Sequence, residues 1–400
     1  MIQATMSTGV EQTQVAPDHG GGSLVNLTSS LVVARGGHTA HPHLELLPPE
    51  RLVESTNVIL LVIDGLGDDW LAATSPHGIL AQHRLGAITS VFPSTTAAAI
   101  PTFLTGEPPL RHGLTGWHTY LGELGAVMTV LPGTPRCGGV SYRQAGIDPG
   151  ILFTCAPVFD RIADRPILVS PESIARSDFN LAHQGRADLY AYRGLHDLFR
   201  LTSRLLHAWG RRRHERKYLH LYWPRLDAIG HMQGIWSEAA RTHLAQIEAA
   251  IARFMDEIAD TDSRLVVTAD HGQIDTTPED VIDLADHPRL AETLLLPLCG
   301  EPRAAFCYVR SGREDAFLDY CQAHLAERIE LTPSKRLREA GLFGTGPAHP
   351  RFDERIGDYC IRPKGAGVIR QWLPCDEPHR QIGVHGGSSQ AEMRVPLCLL

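Results

Sequence analysis

The sequence has 400 residues, which is long enough to bury a large core without disulfide bonds. Hydrophobic residues make up 43% of the chain and charged residues 20%, a balance typical of a globular protein rather than a disordered or fibrous one. The 45 acidic residues outnumber the 37 basic ones, for a formal net charge of −8. A protein that coats nucleic acid would carry a basic excess, so we expect no stable binding to nucleic acid.

The cysteines and the N-terminus provide evidence on the cellular compartment in which the protein is expected. Eight cysteines are scattered along the chain and none forms a Cys-x-x-Cys pair, so we expect reduced, mostly buried thiols rather than a disulfide scaffold or a thiolate zinc site. No secretory signal is visible, and no apolar stretch reaches the ~18 residues of a spanning helix. The sequence predicts a cytoplasmic protein without a membrane partner, and it gives no indication of the oligomeric state.

In chain order, the first feature is a polar segment, residues 1–24, with three consecutive glycines and no aromatic side chain. We expect this segment to be a flexible lead-in. Residues 57–63 then form an apolar run that ends at Asp64-Gly65. Such a run is typical of a strand buried on both faces of a parallel sheet. Asp64 is therefore expected at the carboxyl edge of the sheet, where ligands bind in open α/β folds.

Two later segments repeat this design of a strand followed by a carboxylate. Residues 218–223 lead to Asp227, and residues 264–269 lead to Asp270-His271. Because the carboxyl ends of parallel strands share one edge, three strand ends are expected to converge on a single site.

The rest of the chain contains helical segments and one region whose composition and predicted elements differ from those of the α/β body. Residues 237–259 have apolar side chains at helical spacing behind Ser237, a good N-cap. Residues 300–375 contain one strand, one helix and a stretch rich in Gly and Pro, which indicates an inserted α+β subdomain. The predicted organisation is a lead-in (1–24), an α/β catalytic domain (25–299 and 376–400) and an inserted cap (300–375).

Five short stretches carry residue types that bind metals. They are Asp64-Gly65, Phe92-Pro93-Ser94-Thr95-Thr96, Asp227-x-x-Gly230-His231, Asp270-His271-Gly272 and His385-Gly386-Gly387. Together they offer three carboxylates, three imidazoles and a hydroxyl, a set that suits divalent metals such as Zn²⁺. Asp227 and His231, four residues apart, face the same side of a helical turn. Each motif alone is more often structural, but their joint occurrence, mostly after strands, predicts a metal centre.

The hydroxyl in this set is a candidate nucleophile. Thr96 precedes Ala97-Ala98-Ala99, which predicts a helix beginning at Thr96. The field at a helix N-terminus favours an alkoxide and any bound phosphate, and a metal would lower the pKa of the hydroxyl further. Thr95 is the local competitor for this role, and Pro101 is expected to kink or shorten the helix.

These motifs resemble the alkaline phosphatase superfamily, in particular its nucleotide pyrophosphatase/phosphodiesterase (type I phosphodiesterase) branch. The matching stretches, from about residue 57 to the end, are VILLVIDGLG, VFPSTTAAAIPTFLTGEPPLRHGL, LDAIGH, VVTADHG and VHGGSSQAEMRVPL. The resemblance implies a three-layer α/β/α sandwich with a mostly parallel central sheet and an inserted α+β cap. It also implies a hydrolase of phosphodiester or pyrophosphate bonds in small, nucleotide-like substrates.

The resemblance further implies two zinc ions and a covalent intermediate. One zinc would be bound by Asp227, His231 and His385. The other would be bound by Asp64, Asp270, His271 and the oxygen of Thr96. Thr96 would attack phosphorus in line to form a phospho-threonine, and the first zinc would activate the water that hydrolyses it.

The sequence also departs from the family pattern. Ala97-Ala98-Ala99 replaces the Phe-Pro-Asn that follows the nucleophile in the animal-type branch, and no Asn follows His112-Gly113 to contact the phosphate. The preference for nucleotides therefore stays open. The sulfatase branch is disfavoured because its modification motif is absent, and the classical monoesterase branch because it uses serine and a third metal site. The alternatives are phosphonate or phosphomonoester hydrolysis at the same site and, with less support, a metal-binding protein without catalysis.

Overall fold

The computed structural model describes residues 13–207, 215–376 and 380–400. The strands in chain order are β1 (Asn57–Ile63), β2 (Arg84–Thr89), β3 (His118–Leu121), β4 (Ala126–Thr129), β5 (Thr134–Pro135), β6 (Arg165–Pro171), β7 (Asp188–Tyr192), β8 (Lys217–Trp223), β9 (Ser263–Thr268), β10 (Ile274–Asp275), β11 (Val281–Asp283), β12 (Cys299–Glu301), β13 (Ala304–Cys307), β14 (Ile329–Pro333), β15 (Tyr359–Pro363), β16 (Val368–Arg370), β17 (Gly383–Val384) and β18 (Arg394–Leu399).

The helices in chain order are α1 (Leu24–Ala34), α2 (Glu50–Val53), α3 (Asp68–Thr74), α4 (Ile79–Gln82), α5 (Thr96–Thr105), α6 (Pro109–His112), α7 (Val158–Arg161), α8 (Glu172–Ala175), α9 (Asp178–His183), α10 (Leu195–Leu206), α11 (Arg225–Gln233), α12 (Glu238–Glu257), α13 (Pro288–Ala291), α14 (Glu314–His324), α15 (Ser334–Glu339), α16 (Phe352–Arg355) and α17 (Gln390–Met393). Short 3₁₀ turns cover Pro149–Ile151, Pro278–Asp280 and Leu284–Asp286.

A twisted central sheet organises the body. Its strand order is β2-β18-β9-β1-β8-β6-β7. The strands from β9 to β7 in this order are parallel, and β18 runs antiparallel to both of its neighbours. All seven residues of β1 are buried because side chains pack on both faces of this central strand. The predicted mostly parallel sheet is confirmed, and it carries the carboxyl ends of β1, β8 and β9 side by side.

Helices cover the sheet. Helix α1 packs against α5, and α10 and α11 pack against α12. The amphipathic segment predicted over residues 237–259 is confirmed as α12, where Ser237 caps the helix by accepting a hydrogen bond from Ala240 N at 3.2 Å. Helix α5 begins at Thr96, continues four residues past Pro101 and ends at Thr105. It is capped by Gly106, whose φ of +69° suits glycine.

A second sheet forms the cap, and it contains more of the chain than the predicted insertion at residues 300–375. Its order is β14-β15-β13-β12-β3-β4-β5, so three of its strands come from residues 118–135. The two parts meet where β12 pairs with β3 through Gly300 and His118. A Cβ on Gly116 would lie 2.5 Å from Gly300 Cα, so glycine there lets the two backbones touch.

The N-terminal segment differs from the flexible lead-in expected over residues 1–24. Residues 1–12 lie outside the described residues. The remainder is hydrogen-bonded to the body: Val15 N donates to Ser388 O at 2.7 Å, and Thr89 N donates to Gly22 O at 2.8 Å. This backbone pairing satisfies polar groups of the segment, which composition alone does not reveal.

One pair of cysteines corrects the expectation that all thiols are reduced. Cys137 and Cys375 form a disulfide with a Cα–Cα distance of 5.4 Å. The bond joins the segment after β5 to the segment after β16, and the sequence separation of 238 explains why spacing gave no signal. Among the described helices, none has the length and apolar character needed to cross a bilayer.

Candidate metal centre

The structure brings all seven predicted site residues together at the carboxyl edge of the central sheet. They are Asp64 after β1, Thr96 at the start of α5, Asp227 and His231 in α11, Asp270 and His271 after β9, and His385 after β17. The convergence follows from the strand order, because β1 lies between β8 and β9 and the chain leaves all three strands on the same side.

The first group of ligating atoms surrounds His271 Nε2. This nitrogen lies 3.4 Å from Asp64 Oδ1 and 3.6 Å from Asp270 Oδ2. The hydroxyl of Thr96 lies 3.1 Å from the same nitrogen and 3.5 Å from Asp64 Oδ1. One ligand atom from each of Asp64, Asp270 and His271 falls within 4.8 Å of the others, which is close enough to bind a single ion.

The second group surrounds Asp227. His231 Nε2 lies 3.2 Å from Asp227 Oδ2, and His385 Nε2 lies 3.8 Å from Asp227 Oδ1. The two imidazole nitrogens are 3.3 Å apart. Asp227, His271 and His385 also have ligand atoms within 4.8 Å of one another, so the two groups adjoin at His271.

The chemistry of these donors fits divalent metal ions. Each histidine has its Nδ1 against a backbone carbonyl: His231 against Gly383 O at 2.7 Å, His271 against Gly272 O at 3.0 Å, and His385 against Ser94 O at 3.2 Å. With the proton on Nδ1, each Nε2 presents a lone pair to the carboxylates, the orientation usual in metal-ligating histidines. Asp270 Oδ2 is buried without a hydrogen-bond partner among the described residues. A cation would satisfy this oxygen and all three nitrogens.

The pKa shifts in the centre also indicate that bound positive charge would stabilise its clustered carboxylates. Burial, together with the charges of Asp270 and Asp227, raises the pKa of Asp64 well above its usual value. Burial lowers the pKa of His385 well below its usual value, and His271 lowers it further. Burial opposes the charged form of His231 as well, but Asp227 outweighs it and raises the pKa of His231 to about 9. Bound cations would remove the repulsion among the three carboxylates.

Thr95 and Thr96, the two candidate nucleophiles, have different surroundings. Thr95 Oγ1 donates to Glu301 Oε1 at 2.7 Å, on the side of the cap. Thr96 Oγ1 lies against His271 and Asp64, inside the ligand cluster. The geometry therefore favours Thr96 for attack on a bound substrate.

Sequence reasoning missed three residues that support the centre. The hydroxyl of Tyr222 donates to Asp64 Oδ2, and Gln273 Nε2 donates to Asp227 Oδ1. Glu301 is buried in the cap and accepts from Thr95 Oγ1 and from Trp117 N, the latter at 2.6 Å. Burial raises the pKa of Glu301 to about 7. Tyr222 and Gln273 lie beside the motifs and could have been suspected, but Glu301 has no neighbouring motif.

A cavity of about 820 Å³ opens beside Thr96. Its wall is mostly apolar and aromatic and includes Ile100, Leu104, Trp117, Leu131, Phe179 and Tyr222. Glu301 and two arginines, Arg136 and Arg370, line it as well. The volume and lining are those of a small-molecule site with few polar contacts.

Comparisons with known proteins identify the family and the fold. A family model described as type I phosphodiesterase/nucleotide pyrophosphatase matches residues 58–336. The fold is similar to murine ectonucleotide pyrophosphatase/phosphodiesterase 5, with a TM-score of 0.64 and 16% identity over 85% of this chain and 87% of that one. The human counterpart gives a TM-score of 0.62 and 16% identity over 86% and 87% of the two chains.

Another structure of the murine protein is an inactive threonine-to-alanine variant in complex with AMP, with the same similarity to this chain. No curated protein matches the sequence. The structural similarity confirms the predicted alkaline-phosphatase-like α/β fold.

Proposed function

We propose a mechanism from the premise that the chain belongs to the type I phosphodiesterase/nucleotide pyrophosphatase family, hydrolases of the alkaline phosphatase superfamily. In this mechanism the protein cleaves phosphodiester or pyrophosphate bonds through a covalent phospho-threonine on Thr96. The observation that carries the proposal is the position of the Thr96 hydroxyl, 3.1 Å from His271 Nε2 and facing the cavity. The family and the complete set of candidate ligands favour catalysis over a metal-binding protein without activity.

The candidate ligands divide into two sets, and we assign two Zn²⁺ ions to them. Asp227, His231 and His385 would bind one ion, and Asp64, Asp270, His271 and the Thr96 oxygen would bind the other. Mixed imidazole and carboxylate ligands suit zinc among the divalent metals. When bound, the ions supply positive charge that lowers the pKa of the Thr96 hydroxyl and balances the charge on the phosphoryl oxygens.

The residues of the chain then have defined parts in the reaction. Thr96 occupies the first position of α5, where backbone N–H groups lack intrahelical partners and favour an anion. Its hydroxyl gives up its proton to solvent, and the oxygen forms a bond to phosphorus while the bond from phosphorus to the leaving oxygen breaks. The leaving oxygen takes a proton from solvent. Water then cleaves the phospho-threonine, which releases a phosphomonoester and restores the hydroxyl.

A variant pair tests the nucleophile. Thr96→Ala is expected to lower kcat for bis-p-nitrophenyl phosphate at least about a thousandfold, because it removes the attacking oxygen. Thr96→Ser keeps a hydroxyl in the same position and is the matched control, for which we expect measurable turnover. Circular dichroism should be unchanged in both variants. With zinc in excess both should still bind two ions, although Thr96→Ala, which removes one of four ligands, should bind the second ion more weakly. Wild-type rates in the alanine variant would refute the assignment.

Small nucleotide-like diesters are the proposed substrates. The murine relative binds AMP in its inactive variant, and the cavity beside Thr96 has room and aromatic surface for a comparable group. A panel of nucleotide and simple alkyl diesters on zinc-loaded protein tests this choice. Similar kcat/KM values for nucleotide and alkyl diesters would contradict the preference for nucleotides.

A further inference from the structure

Glu301 at the end of β12 reaches from the cap into the catalytic centre. It is 7% exposed, and its side chain packs against the turn that holds His385: a Cβ on Gly386 would lie 2.6 Å from Glu301 Cβ. Its Oε1 accepts two hydrogen bonds, from Thr95 Oγ1 at 2.7 Å and from Trp117 N at 2.6 Å. The carboxyl group is thus fixed beside Thr95 and Gly386, which are next in sequence to Thr96 and His385.

Buried carboxylates are usually paired with a cation, and this one is not. In the described part of the chain no arginine, lysine or histidine forms an ion pair with Glu301, although the residue lines the cavity that holds Thr96. The two arginines of the same cavity are already paired, Arg136 with Asp376 and Arg370 with Asp283. Within the described part of the chain, the positive groups that act on Glu301 at longer range are the imidazoles of His231 and His271. As metal ligands these would be neutral, so no side chain of the protein would then offset the charge of Glu301.

Glu301 also occupies two donors that a phosphoryl oxygen could otherwise use. The Thr95 hydroxyl is next in sequence to Thr96, and the Trp117 N–H points to the same carboxylate oxygen. With both donors engaged, an additional charged oxygen on the substrate would meet a carboxylate instead of a hydrogen-bond donor. Like charges at short range in a partly desolvated site repel strongly.

We propose that Glu301 is a specificity-determining residue that makes the centre select phosphodiester monoanions over phosphomonoester dianions. A phosphomonoester carries a second negative charge above about pH 6, whereas a diester carries only one. The charge of Glu301 penalises that second charge and leaves the diester largely unaffected. The inference rests on the proposed function, because it places the phosphoryl group at Thr96.

The variant Glu301→Gln tests the proposal. The amide oxygen still accepts from Thr95 and Trp117, so the substitution removes charge and keeps the hydrogen bonds. We expect the ratio of kcat/KM for bis-p-nitrophenyl phosphate to that for p-nitrophenyl phosphate to fall at least about tenfold at about pH 9, where Glu301 in the wild type is ionised. Glu279→Gln, at an exposed site, changes the net charge equally and should leave the ratio unchanged.

An unchanged ratio in Glu301→Gln, with diester turnover intact in the wild type, overturns the proposal and leaves the proposed function standing. A folded Glu301→Gln protein inactive toward both substrates also overturns it, because the residue would then be structural. A wild type that prefers the monoester overturns the inference and the proposed diester activity together.

A second measurement needs no variant. p-Nitrophenyl methylphosphonate is a monoanion, like the diester, but it lacks a second ester group. If charge decides, the wild type should hydrolyse it with a kcat/KM nearer to that of the diester than to that of the monoester. If it is turned over as poorly as the monoester, the centre selects for the second organic group, and the role of Glu301 is refuted.

Discussion

Tyr222→Phe removes one hydroxyl from the centre and should weaken metal binding without unfolding the protein. The hydroxyl donates to Asp64 Oδ2, and Asp64 is 3% exposed. A hydrogen bond to a charged, buried acceptor contributes about 1.5–3 kcal/mol, which corresponds to roughly a 10- to 100-fold change in an equilibrium constant. The same bond lowers the pKa of Asp64, so its loss also lets a proton compete better for the carboxylate.

The assay is a zinc titration of the metal-free protein against a chromogenic chelator. Tyr222→Phe should bind the ion at the Asp64 group about 10- to 100-fold more weakly, the range typical of residues that support metal ligands. With zinc in excess, its kcat should return close to the wild-type value. The matched control is Tyr192→Phe, which also loses a buried hydroxyl, one that donates to Tyr222 O at 2.6 Å. It should lose about 1 kcal/mol of stability and keep its zinc affinity. Equal zinc affinities for Tyr222→Phe and the wild type would refute the reasoning.

Two further predictions concern pH and the disulfide. In metal-free protein His231 has its pKa raised to about 9, so its proton stabilises the folded state below about pH 6.5, and that stability is lost as the pH rises through about 9. Urea unfolding should show this loss in the wild type and a shallower one in His231→Gln, and equal slopes would contradict the assignment. Peptide mapping without reductant should recover Cys137 linked to Cys375, and Cys137→Ser should lower stability by about 2–4 kcal/mol. Recovery of both thiols in free form would contradict the bond. Disulfides persist mainly in oxidising compartments, so a confirmed bond would count against the predicted cytoplasmic location. Cell fractionation tests that location directly.

The central sheet and the carboxylates of the metal centre could be predicted from the sequence. The apolar run of β1 specifies a strand buried on both faces, and the parallel sheet then places Asp64, Asp227 and Asp270 at one edge. The alanines after Thr96 predict the helix N-terminus that α5 has there. These inferences use local patterns and one general property of parallel sheets. The preference for Thr96 over Thr95 comes from the family resemblance, because the local pattern leaves both hydroxyls open.

The features that escaped prediction depend on pairings between distant segments. The strands of residues 118–135 join the cap sheet through the pairing of Gly300 with His118, next to the close approach of Gly116 and Gly300. That contact also carries Glu301 to Thr95, 206 residues away in sequence. The disulfide spans a similar separation. No local periodicity or motif encodes such contacts, so the cap boundary, the role of Glu301 and the oxidised cysteine pair required the structure.

Trapping the covalent intermediate tests the central claim most directly. Zinc-loaded protein is mixed with a diester substrate, quenched in acid during turnover and digested for mass spectrometry. The mechanism proposed above requires one added phosphoryl-containing group on the peptide that contains Thr96, present in the wild type and absent in Thr96→Ala. Modification of Thr95 instead, or turnover with no modified peptide in either protein, would contradict it.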